Sequence, residues 1–409
     1  MQEMTDSILT SARGAVDLAL GLIGTMAFFL GLMNVAKEAG LLQKIARGIG
    51  PTMRMLFPSV PIDHPAMSAM ILNISSNMLG LGNAATPFGI RAMEELDKLN
   101  SRKDTASNAM ILFLAINTAG LAILPSGVIA LRASVGSEDA AGIFFSTWFA
   151  SGCATGVGVL AAILLSRLPH YRTTEPPPLT RNLAEQTELP TQHTTDIKRT
   201  KRWRYWVVLL FWLTFVLLLM HHLWSSFSVE QPEILVRSVF SSWILPVLVG
   251  SVVLYGWSQN VKVYESLVEG AKQGFEVALR IIPYLVTILV AVGMFRASGG
   301  IDVLVKYVGP LTSLILMPVE TLPMALLRPL TGSGAYGLMA EIMTVHGPDS
   351  LIGYMVSTFQ GSTETTFYVI AVYFGAIGIK NTRHTLPACL LADLTGILAA
   401  VFIVNLLFG

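Results

Sequence analysis

The sequence predicts an all-α polytopic membrane protein: two inverted-topology repeats, with about eight transmembrane helices plus two re-entrant helical hairpins. Three observations carry this expectation. The 409 residues are 53% hydrophobic and only 13% charged, about half the charge of ordinary soluble domains. Mean hydropathy is +0.61, and apolar runs long enough to cross a bilayer recur along the chain. A pattern of cation, glycine and Gly-Pro also appears twice, once in each half.

Windows of roughly 20 mostly apolar residues fall at 14–36, 106–131, 141–167, 204–223, 237–257, 276–296, 351–374 and 385–407. Two other apolar regions, about 61–90 and 318–345, are broken by Pro and Gly and dotted with Asn, Ser and Thr. They are expected as re-entrant hairpins, which a membrane tolerates only where protein or a watery cavity satisfies the backbone. Residues 168–203 carry Glu175-Pro176-Pro177-Pro178 and end in the basic run Lys198-Arg199-Thr200-Lys201-Arg202, the pattern of a solvated cytoplasmic linker closed at the membrane edge. The expected organisation is therefore a first repeat at 1–167, a linker at 168–203, two connecting helices within 204–257 and a second repeat at 258–409.

Most of the 27 cations fall in one set of alternating loops, leaving Arg13, Arg132, Arg237, Arg296 and Lys306 for the other. The positive-inside rule then places both termini outside the cytoplasm of a bacterial inner membrane. The first 13 residues contain Glu3 and Asp6 and lack the basic start of a cleavable signal. With 27 cations balanced by 26 anions, no basic face is offered to nucleic acid. Cys153 and Cys389 lie in apolar stretches and suggest neither a disulfide framework nor a thiolate metal site.

The repeat is visible in Lys37-Glu38-Ala39-Gly40 before Gly50-Pro51, and in Arg296-Ala297-Ser298-Gly299 before Gly309-Pro310. Each copy continues through a proline-rich approach into a small-residue hairpin and ends in a helix with Thr-Gly, at Thr155-Gly156 and Thr395-Gly396. Three crossings per copy and two connecting helices invert the second copy. Inverted repeats are a transporter architecture, with solute bound where discontinuous helices of both halves meet.

Candidate site residues follow from polar groups at membrane depth, where they are costly unless used or paired. In the first hairpin, Asn73 and Asn77 share a helical face, and Asn83 and Thr86 lie beside glycines and Pro87 that break the helix. Asn117, with Thr118 and Pro125, marks a break in the following span. The second hairpin sets Arg328 beside Gly332-Ser333-Gly334. Its expected partner is Glu320, Glu341, Glu364, Asp393 or a solute carboxylate. Gln360-Gly361-Ser362-Thr363-Glu364-Thr365-Thr366 is the densest polar run in any span. Solute contacts are expected from Asn73, Asn77, Asn83, Thr86, Asn117, Arg328, Ser333, Gln360 and Ser362, and ion coupling from Thr363, Glu364, Thr366 and Asp393. Structural packing competes with each assignment, because polar side chains also bind membrane helices together.

No nucleotide-binding loop, metal-ligand spacing or convincing nucleophile–base set is present. The protein is therefore expected not to be an enzyme and to need no cofactor, with sodium or protons as the coupling ion.

These same residues carry a resemblance. Leu56-Phe57-Pro58 through Asn83-Ala84-Ala85-Thr86-Pro87, with Asn117-Thr118, resembles spore maturation protein A. Pro283-Tyr284-Leu285-Val286, Arg328-Pro329-Leu330-Thr331-Gly332-Ser333-Gly334, Gly347-Pro348-Asp349-Ser350 and Gln360 through Tyr368 resemble spore maturation protein B. The chain looks like a fusion of the two, covering nearly everything outside about 168–235. Both belong to the nucleoside recognition or gate domain group, which is distantly similar to concentrative nucleoside transporters and to the membrane part of the ferrous-iron transporter B. The resemblance implies a gate-type permease of the bacterial inner membrane.

The expected function is secondary active transport, driven by Na+ or H+, of a small polar or zwitterionic solute such as a nucleoside, amino acid or short peptide. Membrane lipids and a homo-oligomer, dimer or trimer, are the expected partners. The competing expectation is a non-transporting membrane partner of cell-wall or spore-cortex enzymes.

Overall fold

The computed structural model describes residues 2–80, 82–172, 202–226 and 246–409, and among them the regular structure is helical, with one isolated bridge between Thr105 and Asn381 in the connections. Most of the linker and part of the span at 237–257 lie outside the described residues.

The first half runs α1 (Gln2–Glu38), α2 (Leu41–Leu56), α3 (Pro65–Met78), α4 (Gly82–Lys98), α5 (Asn108–Thr118), α6 (Ser126–Ser134) and α7 (Phe144–Ser166), with a short α8 (Pro169–Arg172). Next come α9 (Arg202–Ser226) and α10 (Pro246–Ser258). The second half runs α11 (Val263–Ala297), α12 (Gly300–Ser313), a 3-10 turn at Val319–Thr321, α13 (Leu322–Leu327), α14 (Gly332–His346), α15 (Leu351–Ser362), α16 (Thr366–Ile377) and α17 (Thr385–Phe408).

Local chemistry sets these boundaries. Gly40 and Gly299 take left-handed conformations, with φ of 79° and 77°, and start α2 and α12; that region is open to glycine at no steric cost. His64 caps α3 by accepting the Ala66 N–H through Nδ1, with Pro65 at the first helical position. Ser107 and Ser350 cap α5 and α15, accepting from Met110 N and Gly353 N.

Two predicted spans are not continuous helices. The window 106–131 divides into α5 and α6, because Gly120 turns left-handed at φ 57° and Pro125 precedes α6. The window 351–374 divides into α15 and α16, because Thr363, at φ −138° and ψ 163°, and Thr365 leave the helix beside the weak helix former Gly361. Among the described residues, α7 and α17 are the helices long and apolar enough to cross a membrane on length and composition. The windows at 14–36, 204–223 and 276–296 lie within α1, α9 and α11. The two hairpin regions form helix–turn–helix pairs, α3–α4 and α13–α14, the first running on to Lys98.

The two halves interlock rather than sit side by side. Helix α1 packs along α11, and α7 along α17. Close approach in the second pair needs small residues: a Cβ on Gly158 would lie 3.1 Å from the Ala392 Cβ, and one on Gly396 would lie 3.3 Å from the Ala154 Cβ. One core joins Val128 and Leu131 of α6 to Met324, Met339, Phe359 and Val404 of the second half. A second joins Met70, Met93 and Phe113 of the first half to Phe374 and Cys389 of the second. Each half thus completes its core with a broken-helix segment of the other.

Candidate functional site

The interlocked packing brings the hairpin turns and the helix breaks to one place. A cavity of about 340 Å³ lies there, within the size range of small-molecule sites. Its walls include the end of α3 at Asn77 and Gly80, the turn after α5 at Gly120, and the start of α6 at Ser126 and Gly127. The second half contributes Arg328, the start of α14 at Gly332 and Ser333, and the end of α15 at Gln360, Gly361 and Glu364. Phe29 and Leu30 of α1 and Tyr336 of α14 close it on apolar and aromatic sides. The walls thus bring helix C-termini and helix N-termini, the negative and positive ends of helix dipoles, to one cavity.

The two breaks touch directly. Glu364 N donates to Thr118 O at 2.8 Å, and a Cβ on Gly120 would lie 3.0 Å from the Thr363 carbonyl carbon and 3.2 Å from Glu364 N. Gly80 is equally confined, with a φ of 72° and the Leu124 carbonyl oxygen 2.5 Å from where its Cβ would sit.

Arg328 is almost fully buried; its two terminal nitrogens are held by protein acceptors, while its Nε is buried without a hydrogen-bond partner. Nη1 donates to Thr365 Oγ1 at 3.0 Å, and Nη2 to Gln360 O at 3.2 Å and to Thr363 O. Of the four acids expected as partners, Glu364 is the one it pairs with, at 3.6 Å between Nη2 and Oε2. The guanidinium thus caps the carbonyls freed where α15 ends. The two side chains differ sharply in exposure, 3% for Arg328 and 49% for Glu364.

The predicted residues divide into those on the cavity wall and those behind it. Asn77, Arg328, Ser333, Gln360 and Glu364 line the cavity. Asn117 stands behind Asn77, accepting from its Nδ2 at 3.0 Å while donating to Phe113 O at 2.8 Å. Asn73 is buried in the first hairpin, donating to Ala85 O and accepting no bond at Oδ1; it also bonds Tyr373 Oη at 3.1 Å. Thr86 is half-buried on α4 outside the cavity lining, and the Asn83 side chain lies outside the described residues. Ser362 and Thr363 bond back to Phe359 O. Thr366 donates to Asp393 Oδ2 at 2.6 Å in a separate buried pair, whose Oδ1 has no hydrogen-bond partner. The sequence reading missed Phe29, Gly120, Ser126, Gly127 and Tyr336. Of these, Gly120, Ser126 and Gly127 flank the break already marked by Pro125. Among the described residues, no three His, Cys, Asp or Glu side chains are placed to hold a metal.

The family model described as "Gate: Nucleoside recognition" matches residues 19–135 and again 278–380, together more than half of the chain. The chain belongs to the Gate nucleoside recognition family. Both matched segments end beyond a helix break, so each contains one hairpin and one broken helix of this Gate protein. It is 48% identical to spore maturation protein B of Bacillus subtilis (strain 168) over 166 residues, 41% of this chain and 93% of that protein. It is 39% identical to spore maturation protein A of the same organism over 172 residues, 42% of this chain and 86% of that protein. The resemblance read from the hairpin and break motifs is thereby shown. No solved structure matches the chain.

Proposed function

We propose that this Gate protein is a multi-pass inner-membrane permease, built of two inverted repeats, that binds a small polar or zwitterionic solute in the cavity between its helix breaks. The carrying observation is the cavity of about 340 Å³, walled by both hairpin turns and both breaks. Irregular backbone at membrane depth is tolerated where it lines such a cavity, and inverted-repeat transporters bind solute between discontinuous helices. The repeat reading is supported by the double match of one family model and by the paired left-handed glycines, Gly40 and Gly299, that start α2 and α12.

In this reading the hairpins α3–α4 and α13–α14 are the gates. Asn77, Ser333, Gln360 and Glu364 contact solute, while Arg328 holds the break at the end of α15 in place. The buried Thr366–Asp393 pair is the candidate coupling site for Na+ or H+, because Asp393 Oδ1 is an acceptor without a hydrogen-bond partner.

The test is a thermal-shift screen of the purified, detergent-solubilised protein against nucleosides, amino acids and dipeptides, with sodium, with potassium and at two pH values. Ligand binding to the native state raises the melting temperature by mass action. The expected result is a solute-selective shift that is lost when Ser333→Trp fills the cavity. Absence of any shift would instead favour a non-transporting membrane partner.

A further inference from the structure

Resting on the reading of this cavity as a solute site, we propose that it selects its solute through a protonated amine, with Glu364 as the counter-ion. The sequence suggested the opposite polarity, because an arginine at membrane depth favours a carboxylate. The geometry reverses that expectation. Arg328 and Glu364 are the charged side chains on the cavity wall, and it is the carboxylate that is accessible.

Arg328 directs Nη1 to Thr365 Oγ1 and Nη2 to the carbonyls of Gln360 and Thr363, and its side chain is 3% exposed. Its Nε has no hydrogen-bond partner but is buried with the rest of the side chain, so a solute carboxylate would have to open this packing to reach it. Glu364 is 49% exposed, and its ion-pair partner Arg328 stands 3.6 Å away, beyond the roughly 2.7–2.9 Å of a charge-assisted hydrogen bond. Its carboxylate oxygens therefore have lone pairs to offer.

The surroundings extend the same polarity. Gln360 Oε1 is buried without a hydrogen-bond partner, and Gln360 lies on the same wall. The end of α3 at Asn77–Gly80 brings the negative pole of one helix to the cavity, whereas the end of α15 is already capped by Arg328. An ammonium has three donors and no acceptor, so it suits a carboxylate, an amide oxygen and the negative end of a helix. The first turns of α6 and α14 offer N–H donors in the same cavity, which suits an acceptor elsewhere on the solute. The accessible full charge remains negative.

The experiment uses the full chain in detergent and five probes: 1,4-diaminobutane, β-alaninamide, β-alanine, N-acetyl-β-alanine and succinate. The three free amines are expected to raise the melting temperature, and acetylation of the amine to abolish the shift. Glu364→Gln should weaken the apparent affinity for the amines about tenfold or more, the loss of one charge-assisted contact. Its melting temperature without ligand should match the parent, showing that the fold is intact. Glu364→Asp should retain the preference for amines. Equal shifts with N-acetyl-β-alanine or succinate, or unchanged amine binding in Glu364→Gln, would overturn the amine assignment and leave the solute cavity standing. If no probe moves the melting temperature in sodium or potassium, the cavity reading falls with it.

Discussion

Glu364 donates its backbone N–H to the carbonyl oxygen of Thr118 at 2.8 Å, joining the two helix breaks beside the cavity. The bond leaves no space for a side chain at the crossing. Alanine at Gly120 would meet main-chain atoms at 3.0–3.2 Å in a left-handed conformation, and alanine at Gly80 would meet the Leu124 carbonyl at 2.5 Å. Backbone cannot swing aside as a flexible side chain can. Each substitution should cost about 2 kcal/mol or more, since the left-handed conformation alone costs roughly 1–2 kcal/mol for an L-residue. Gly48→Ala is the control: nothing lies within 4 Å of its Cβ position in α2, and alanine there should stabilise by up to about 1 kcal/mol. Melting temperatures of the three variants check the ranking; equal effects at Gly48 and Gly120 would disprove the crossing.

Arg328 and Glu364 form an ion pair whose two ends should answer mutation differently. Arg328→Met removes the donors held by Thr365 Oγ1, Gln360 O and Thr363 O, leaving buried acceptors unpaired, and should cost about 3 kcal/mol. Glu364→Gln alters a half-exposed carboxylate at 3.6 Å, a contact worth less than about 1 kcal/mol. Differential scanning calorimetry or a fluorescence melt of both variants should show a large drop for the first and almost none for the second. A larger loss at Glu364 would return Arg328 to the solute-binding role.

Much of this site was legible because proline, glycine and clustered polar residues mark where a membrane helix must break. Pro125, Gly361 and Gly332-Ser333-Gly334 pointed to breaks and turns that the structure forms. What the chain could not disclose locally is which break meets which: Thr118 and Glu364 are contacts across the whole fold. Arg328 illustrates the same limit. Its depth was readable, but its main partners are carbonyls, which every residue carries and no sequence pattern distinguishes. Arg132 was read as an outer-loop cation, yet it is 0% exposed and bonds residues more than 200 positions away.

That arginine yields the third prediction. Arg132 Nη2 meets Asp349 Oδ1 at 2.8 Å, Nη1 donates to Pro348 O at 2.7 Å, and the guanidinium lies 4.4 Å from the Tyr354 ring centroid. Asp349 also accepts from Ser137 Oγ at 2.6 Å and Glu138 N at 2.8 Å, fastening the α6–α7 loop to the α14–α15 loop. Asp349→Ala leaves a buried cation short of its counter-ion and should cost about 3 kcal/mol, a fall of roughly 5 °C or more in melting temperature. In a double-mutant cycle with Arg132→Met, the two losses should be strongly non-additive, as expected for contacting residues. Simple additivity would mean that the loops are held by other contacts.

A matching contact joins the other pair of loops, where Arg383 Nη1 donates to Ala106 O at 3.1 Å and to Asn108 Oδ1 at 2.8 Å. Next to it, His384 is 0% exposed just ahead of α17. Its Nε2 sits 3.1 Å from Ala162 O; a carbonyl only accepts, so Nε2 carries the proton. Burial first, and the Arg383 cation second, push its pKa down from 6.5 to about 4. Between those values the unfolded chain binds a proton that the folded chain refuses, so this residue makes stability fall as pH drops from about 6.5 towards 4. Melting temperatures taken from pH 7.5 to pH 4.5 should therefore decline, and His384→Gln, neutral throughout, should show a shallower decline below pH 6.5. Parallel curves for the two proteins would show that His384 is free to protonate in the fold.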